Sequence, residues 1–224
     1  MKIFIVIAAY NEGKSISKVI SDLKHAGYDN IIVVDDGSKD DTYNFALNSG
    51  AVALRHIVNR GQGAALKTGM DYALRNGADM IIHFDADGQH RVEDLKAMIA
   101  PVKSGKYDIS VGSRFLKPVK MPFFRRLTLK IAILVVRIFY GAKMTDAHNG
   151  FRVMNRKAAE TIDITSDRME HASQIVEEIH RKNLRFIEVP VTILYTDYSL
   201  QHGHGGLGQA FKVFIKMIFR RILD

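Results

Sequence analysis

The sequence predicts an α/β protein built on a mostly parallel sheet with helices on both faces. Short continuous apolar runs recur through its first half, and segments with helical apolar spacing separate them. Polar, acid-rich clusters stand where those runs end. Strands are expected at 2–8, 30–34, 51–57, 79–84 and 107–111, and helices at 13–25, from about 40, at 63–75 and at 92–102. In the second half helical spacing covers 157–162 and 169–182, and a strand is expected at 185–194. In such sheets ligands bind beyond the carboxyl ends of the strands, which is where the polar clusters fall.

The chain has 224 residues, 47% hydrophobic and 25% charged, enough for one domain with a full core. It holds no cysteine, which excludes a disulfide framework and thiolate metal sites and fits a reducing cytoplasm. No uncharged apolar run is long enough to span a bilayer. The apolar start is followed at once by Asn11, Glu12 and Lys14, so it reads as a first strand and not as a signal peptide. The net charge is +8, and residues 109–145 contain eight basic residues and no acid. Such a concentration implies an anionic partner.

The most informative segment is Asp85-Ala86-Asp87-Gly88-Gln89-His90, directly after an apolar strand. In extended chain alternate side chains share a side, so Asp85, Asp87 and Gln89 form an oxygen-rich edge suited to Mg²⁺ or Mn²⁺. A solvated turn capping the helix that follows is the competing reading. His83 and His90 read as structural residues. Asp35 and Asp36 close the second strand, where a carboxylate accepts from a base or a ribose, or where an Asp-Gly-Ser turn simply forms. Asn59-Arg60-Gly61-Gln62-Gly63 offers close backbone approach and a helix N-terminus for a phosphate, or a plain turn. It lacks the third glycine of the dinucleotide fingerprint, which argues against a nicotinamide enzyme.

Taken together, Ala9-Tyr10-Asn11-Glu12, Val33-Val34-Asp35-Asp36-Gly37-Ser38, Asn59–Ala65 and the Asp85–His90 segment resemble the family 2 glycosyltransferases of the GT-A fold. Gly112-Ser113-Arg114-Phe115, the Arg125-Arg126 pair, Asp146–Arg152 and Glu188-Val189-Pro190-Val191 are similar to the dolichol-phosphate mannosyltransferase branch, which loads one sugar onto a polyprenyl phosphate. The resemblance runs from residue 1 to about 200. It implies that Ala8, Tyr10, Glu12, Asp35, Asp36, Gln62, Asp85, Ala86 and Asp87 line the nucleotide-sugar site. It further implies that Asp85, Asp87 and Gln89 manage the metal, and that Arg114, Arg125 and Arg126 hold the acceptor phosphate. Asp87, Arg114, Arg125 and Asp146 are the residues expected to carry catalysis. The sequence departs from the pattern at Ala8, where a proline is usual, at Gln62, where a lysine is frequent, and at His202 and His204.

A polyprenyl phosphate is already anionic, so transfer to it needs alignment and charge neutralisation but no base. The reaction expected is a single displacement with inversion. A saccharide hydroxyl in polysaccharide synthesis is the alternative acceptor; it requires a base, and Asp146 is the first candidate. The apolar-basic stretch 122–140 reads as an interfacial helix within a domain spanning 1–200. Residues 201–224 read as a glycine-rich loop and a second amphipathic basic helix. The expectation is a cytoplasmic protein, peripheral at the inner membrane face, with a separately encoded small membrane protein docked on the last helix. Aliphatic and not aromatic residues interleave the basic ones, so nucleic acid is not expected.

Overall fold

The computed structural model describes residues 1–116, 144–146 and 149–194. Its elements are β1 (Ile3–Ala9), α1 (Ile16–His25), β2 (Ile31–Asp35), α2 (Thr42–Asn48), β3 (Val52–Arg55), α3 (Gln62–Arg75) and β4 (Met80–His83). Then follow α4 (Leu95–Lys103), β5 (Ile109–Ser113), β6 (Arg152–Asn155), α5 (Arg156–Thr161), α6 (His171–Arg181) and β7 (Phe186–Pro190). The interfacial helix expected at 122–140 and the loop and helix expected at 201–224 lie outside the described residues, as do Arg125, Arg126, His202 and His204.

The strands form one sheet in the order β3-β2-β1-β4-β6-β5-β7. The pairs β1–β2, β1–β4, β2–β3 and β5–β7 are parallel, whereas β6 runs antiparallel to both β4 and β5. Strands β2, β4 and β5 are buried along their whole length, the reason their sequences read as unbroken apolar runs. Alternation splits the core into two. Phe4, Val6, Val34, Ile81 and Met154 face α3, α5 and α6, while Ile5, Ile7, Val33, Ile82 and Val153 face α1 and α4. Each fully buried Ile, Val or Leu contributes roughly 1.5–3 kcal/mol against exposure.

Several boundaries differ from expectation, among them the last strand, which ends at Pro190 and not at 194, and β6 was not expected as a strand; two of the differences have a plain physical reason. The strand expected at 51–57 stops at Arg55, because the imidazole of His56 turns to Asp36. The helix expected at 92–102 begins at Leu95 after one tight turn at Val92–Asp94. Strand order reverses between β1 and β4, which makes their carboxyl ends a topological switch point and places a crevice there.

Candidate functional site

The loop after β1 and the loop after β2 are stitched together at that crevice. Asn11, held at φ 56°, donates its amide to Ser38 Oγ at 2.9 Å and accepts from the Lys39 amide at 2.9 Å. The Glu12 amide donates to Thr42 Oγ1 at 2.8 Å, and that of Gly13 to Asp40 Oδ2 at 3.0 Å. Ala8 is half-buried in β1, Tyr10 is exposed at its end, and Glu12 is half-buried at the crevice wall. Ser15 Oγ donates to Glu12 Oε2 at 2.7 Å and fixes that carboxylate.

Both acids at the end of β2 are buried and largely committed to the chain itself. Asp35 Oδ1 accepts from the Ser38 amide at 3.0 Å, and its Oδ2 lies 3.1 Å from Arg55 Nε, close but off the hydrogen-bond line. Asp36 Oδ1 meets His56 Nδ1 at 2.7 Å and the Arg60 amide at 3.0 Å, while its Oδ2 accepts from the Gly61 amide at 2.6 Å. The structure therefore uses Asp36 to hold the 56–61 loop, which leaves its carboxylate little capacity for a base or ribose.

The Gly61-Gln62-Gly63 turn also has an occupant from the chain. A Cβ on Gly61 would overlap Asp167 O, one on Gly63 would overlap Ser166 O, and the Ala64 amide donates to Asp167 O at 3.1 Å. Segment 166–168 makes the close approach that these glycines allow. Gln62 itself faces the crevice, with Nε2 at 3.5 Å from Asp85 Oδ1.

Residues 85–88 form a turn and not an extended strand, with Gly88 at φ 73°. Alternation therefore does not align Asp85, Asp87 and Gln89; an Asp-turn from Asp87 to the Gln89 amide shapes the segment instead. Gln89 donates its backbone amide to Asp87 Oδ1 at 2.9 Å and its side-chain amide to Oδ2 at 2.7 Å. It thus orients Asp87 and does not present a third oxygen beside it. Ala86 is buried between the two acids. Asp85 Oδ2 lies 2.7 Å from Nε2 of His90, a buried ring set edge-on to Phe84 and tilted against Phe151. On the other side, a Cβ at Gly150 would overlap both Asp85 oxygens, so a larger residue there would displace that carboxylate.

Electrostatics separate these acids. Burial alone would push Asp85 up, yet His90, with Arg152 and His171 beyond it, holds its carboxyl below the usual range. Asp87 is pushed up by burial and then by Asp85. Glu12 is also pushed up, by burial first and then by Asp87, Asp40 and Asp85. Asp85 thus raises the cost of ionising Asp87, and both raise that of Glu12, an arrangement that suits a hard divalent cation. Among the described residues no three acid or imidazole side chains close into a preformed metal cage. An open acid edge of this kind fits Mg²⁺ or Mn²⁺ held jointly by one or two carboxylates and substrate phosphates.

Across the crevice, Arg114 follows β5 and is buried against Asp146, whose Oδ2 accepts from Arg114 Nε at 2.6 Å and from its amide at 3.1 Å. Glu188 of β7 fixes Asp146 in turn. Its carboxylate accepts from the Thr145 amide at 2.8 Å, from Thr145 Oγ1 at 2.9 Å and from the Asp146 amide at 3.0 Å. The sequence reading took His83 and His90 as structural residues, which their burial bears out, but it missed the contact of His90 with Asp85, the burial of Arg152 and any part for His171. His90 and Arg152 stand inside segments whose motifs were legible, but His171 carries no sequence signal.

An acid edge at the switch point of a Rossmann-like sheet, faced by a buried arginine, defines a nucleotide-dependent group-transfer protein. The sequence agrees: residues 4–163 match the model of glycosyl transferase family 2, and the chain belongs to that family. A UDP-N-acetylglucosamine–dolichyl-phosphate N-acetylglucosaminyltransferase of Methanococcus voltae is 31% identical over 98% of this chain and 96% of its own length. The polyprenol monophosphomannose synthase of Mycolicibacterium smegmatis is 32% identical over 88% of this chain and 78% of its own. In fold, the chain resembles glucosyl-3-phosphoglycerate synthase of Mycobacterium tuberculosis, solved with Mn²⁺, UDP and product. The TM-score is 0.75 at 17% identity, over 98% of this chain and 79% of that one.

Proposed function

We propose that the protein moves one sugar from a nucleotide-sugar donor to a polyprenyl phosphate at a membrane surface, with inversion at the anomeric carbon. The observation that carries the reading is the acid edge of Asp85 and Asp87 beside Glu12 at the switch point, opposite the buried Arg114–Asp146 pair. The printed activities of the Methanococcus and Mycolicibacterium relatives support the acceptor class. The Mn²⁺ and UDP held by a protein of the same fold support a divalent cation and a nucleotide.

In this reading Asp85 and Asp87 hold Mg²⁺ or Mn²⁺, which supplies charge neutralisation for the departing diphosphate. His90 and Gly150 fix Asp85, Gln89 fixes Asp87, and Tyr10 and Glu12 border the nucleotide. Arg114 presents a guanidinium, whose fork matches phosphate oxygens, and Arg125 and Arg126 join it in receiving the acceptor. The bond from the anomeric carbon to the diphosphate breaks as the bond to the acceptor phosphate oxygen forms. No base is needed, because the nucleophile is already an anion.

The state of Asp146 favours a phosphate acceptor over a saccharide hydroxyl. A hydroxyl would require a base, and Asp146 is buried, with one oxygen accepting twice from Arg114. Membrane binding through residues 122–140 and 201–224, and a small membrane protein as partner, remain part of the proposal.

The test is incubation with Mn²⁺ or Mg²⁺, radiolabelled nucleotide sugars and undecaprenyl phosphate, followed by lipid extraction. Label is expected in the organic phase, and Asp87→Ala or chelation is expected to lower it by about 10²-fold or more. Label that reaches only saccharide, from any donor, would overturn the lipid-phosphate acceptor.

A further inference from the structure

Among the described residues Arg152 is one of the largest fully buried side chains, and its Nε and both terminal nitrogens have no hydrogen-bond partner there. Burying a guanidinium without a protein partner carries a cost that an apolar residue of similar volume would avoid. Its place is set by strand pairing. Antiparallel register puts Arg152 opposite His83, on the sheet face that carries Ile81, Val111 and Met154. The residue before it, Phe151, points to the other face and packs on His90. The one before that, Gly150, lies against Asp85. Residues 150–152 thus reach the acid edge from beside it, from behind His90 and from beneath.

Two acids bear on this cation: Asp85, after β4, and Asp146, in the segment before β6. The nearby imidazoles do not share its charge. His83 is pushed well below its ordinary value by burial and then by Arg152, and His171 is brought down to about 4 by the same two causes.

We infer that Arg152 is a positioning residue for the transfer, a fixed buried cation whose field, and not a direct contact, acts on the carboxylates of Asp85 and Asp146 beneath the donor site. The inference rests on the proposed function in taking Asp85 as part of the cation-binding edge. Arg152 touches neither substrate; it acts through acids supplied by two separate segments.

The test uses Arg152→Met and Arg152→Gln in the full chain, with thermal unfolding, Mn²⁺ binding by electron paramagnetic resonance without substrate, and initial rates. Both variants are expected to fold, since an uncharged replacement of a buried ion is often tolerated. Mn²⁺ should bind about threefold or more tightly, because a positive charge near its ligands is gone. The kcat should fall about thirtyfold or more while the donor KM moves less than about threefold. Arg152→Lys should return Mn²⁺ affinity to within about twofold of wild type and recover most of the rate. Mn²⁺ affinity that stays unchanged, or weakens in parallel with kcat, would mark a merely structural arginine and overturn the inference. So would failure of both uncharged variants to fold. If the wild type labels no lipid phosphate, the proposed acceptor fails, while Mn²⁺ affinity and the lysine rescue still decide the role of Arg152.

Discussion

The imidazole of His171 packs beside the first turn of α3, with Nδ1 2.8 Å from Arg168 O. Burial first, and the charge of Arg152 next, bring its pKa down to about 4. An unfolded histidine titrates near 6.5, so between these values the unfolded chain binds a proton that the folded chain refuses. The associated stability is fully present above pH about 6.5 and is lost as pH falls toward 4, at up to about 1.4 kcal/mol per unit. His83 adds to the loss in the same direction. Replacing His171 by Gln is expected to flatten the decline, measured by urea unfolding at about pH 7, 6 and 5. Identical slopes for variant and wild type would mean that His171 takes up its proton in the folded state. At this scale the sequence tells which acids end strands, but not who reaches them. Asp36 looks free in the sequence because its partners, the amides of Arg60 and Gly61, lie 24 and 25 residues away. His90 looks incidental because its contact with Asp85 depends on a turn that extended-chain reasoning does not produce.

Strands β5, β6 and β7 are locked at one end by Asp108. Its carboxylate accepts from the Arg185 amide at 3.0 Å, from Arg185 Nε at 3.0 Å and from Asn155 Nδ2 at 3.1 Å. The Asn155 amide donates to its carbonyl at 2.9 Å. The Arg185 side chain, despite the opposing effect of burial, holds the Asp108 carboxyl far below the usual carboxylate range. The sign follows: a carboxylate depressed in the folded state contributes stability above its unfolded pKa of about 3.9, and the contribution fades as pH falls below that. Asp108→Asn is therefore expected to cost about 2 kcal/mol at neutral pH, with the difference from wild type shrinking below about pH 4. Denaturant midpoints at neutral and acidic pH measure it, and an equal deficit at both would show that geometry and not charge is at stake. The parallel strands were legible because burial on both faces writes itself as apolar runs. Strand β6 was not legible at all: it is four residues, Arg152–Asn155, that open on a charged side chain, and its existence and antiparallel course both come from pairing with β4 and β5. Nor was the meeting of Gly63 with segment 166–168, a contact across a hundred residues of chain.

Over the whole molecule, the net charge of +8 equals the surplus of residues 109–145, so the remainder of the chain is balanced. Among the described residues no helix is long and apolar enough to cross a membrane. A polyprenyl phosphate nevertheless keeps its chain in the bilayer, and an enzyme that uses it must bring its acid edge to the headgroup plane. In that case the basic residues of 109–145 do two things. Those other than the buried Arg114 would bind anionic lipid, each worth about 1 kcal/mol near the surface, and would raise the local concentration of an acceptor that is itself anionic. Binding to vesicles with about 30% anionic lipid is then expected to weaken by an order of magnitude or more between about 0.1 and 0.5 M salt. Replacing Arg125, Arg126 and Lys130 together by Gln should weaken it by about 10²-fold at the lower salt, and neutral vesicles should bind less than anionic ones by a similar factor. Co-sedimentation measures all three. Equal binding to neutral and anionic vesicles, insensitive to salt, would mean that apolar insertion carries the attachment, and the basic stretch would then belong to the acceptor phosphate alone.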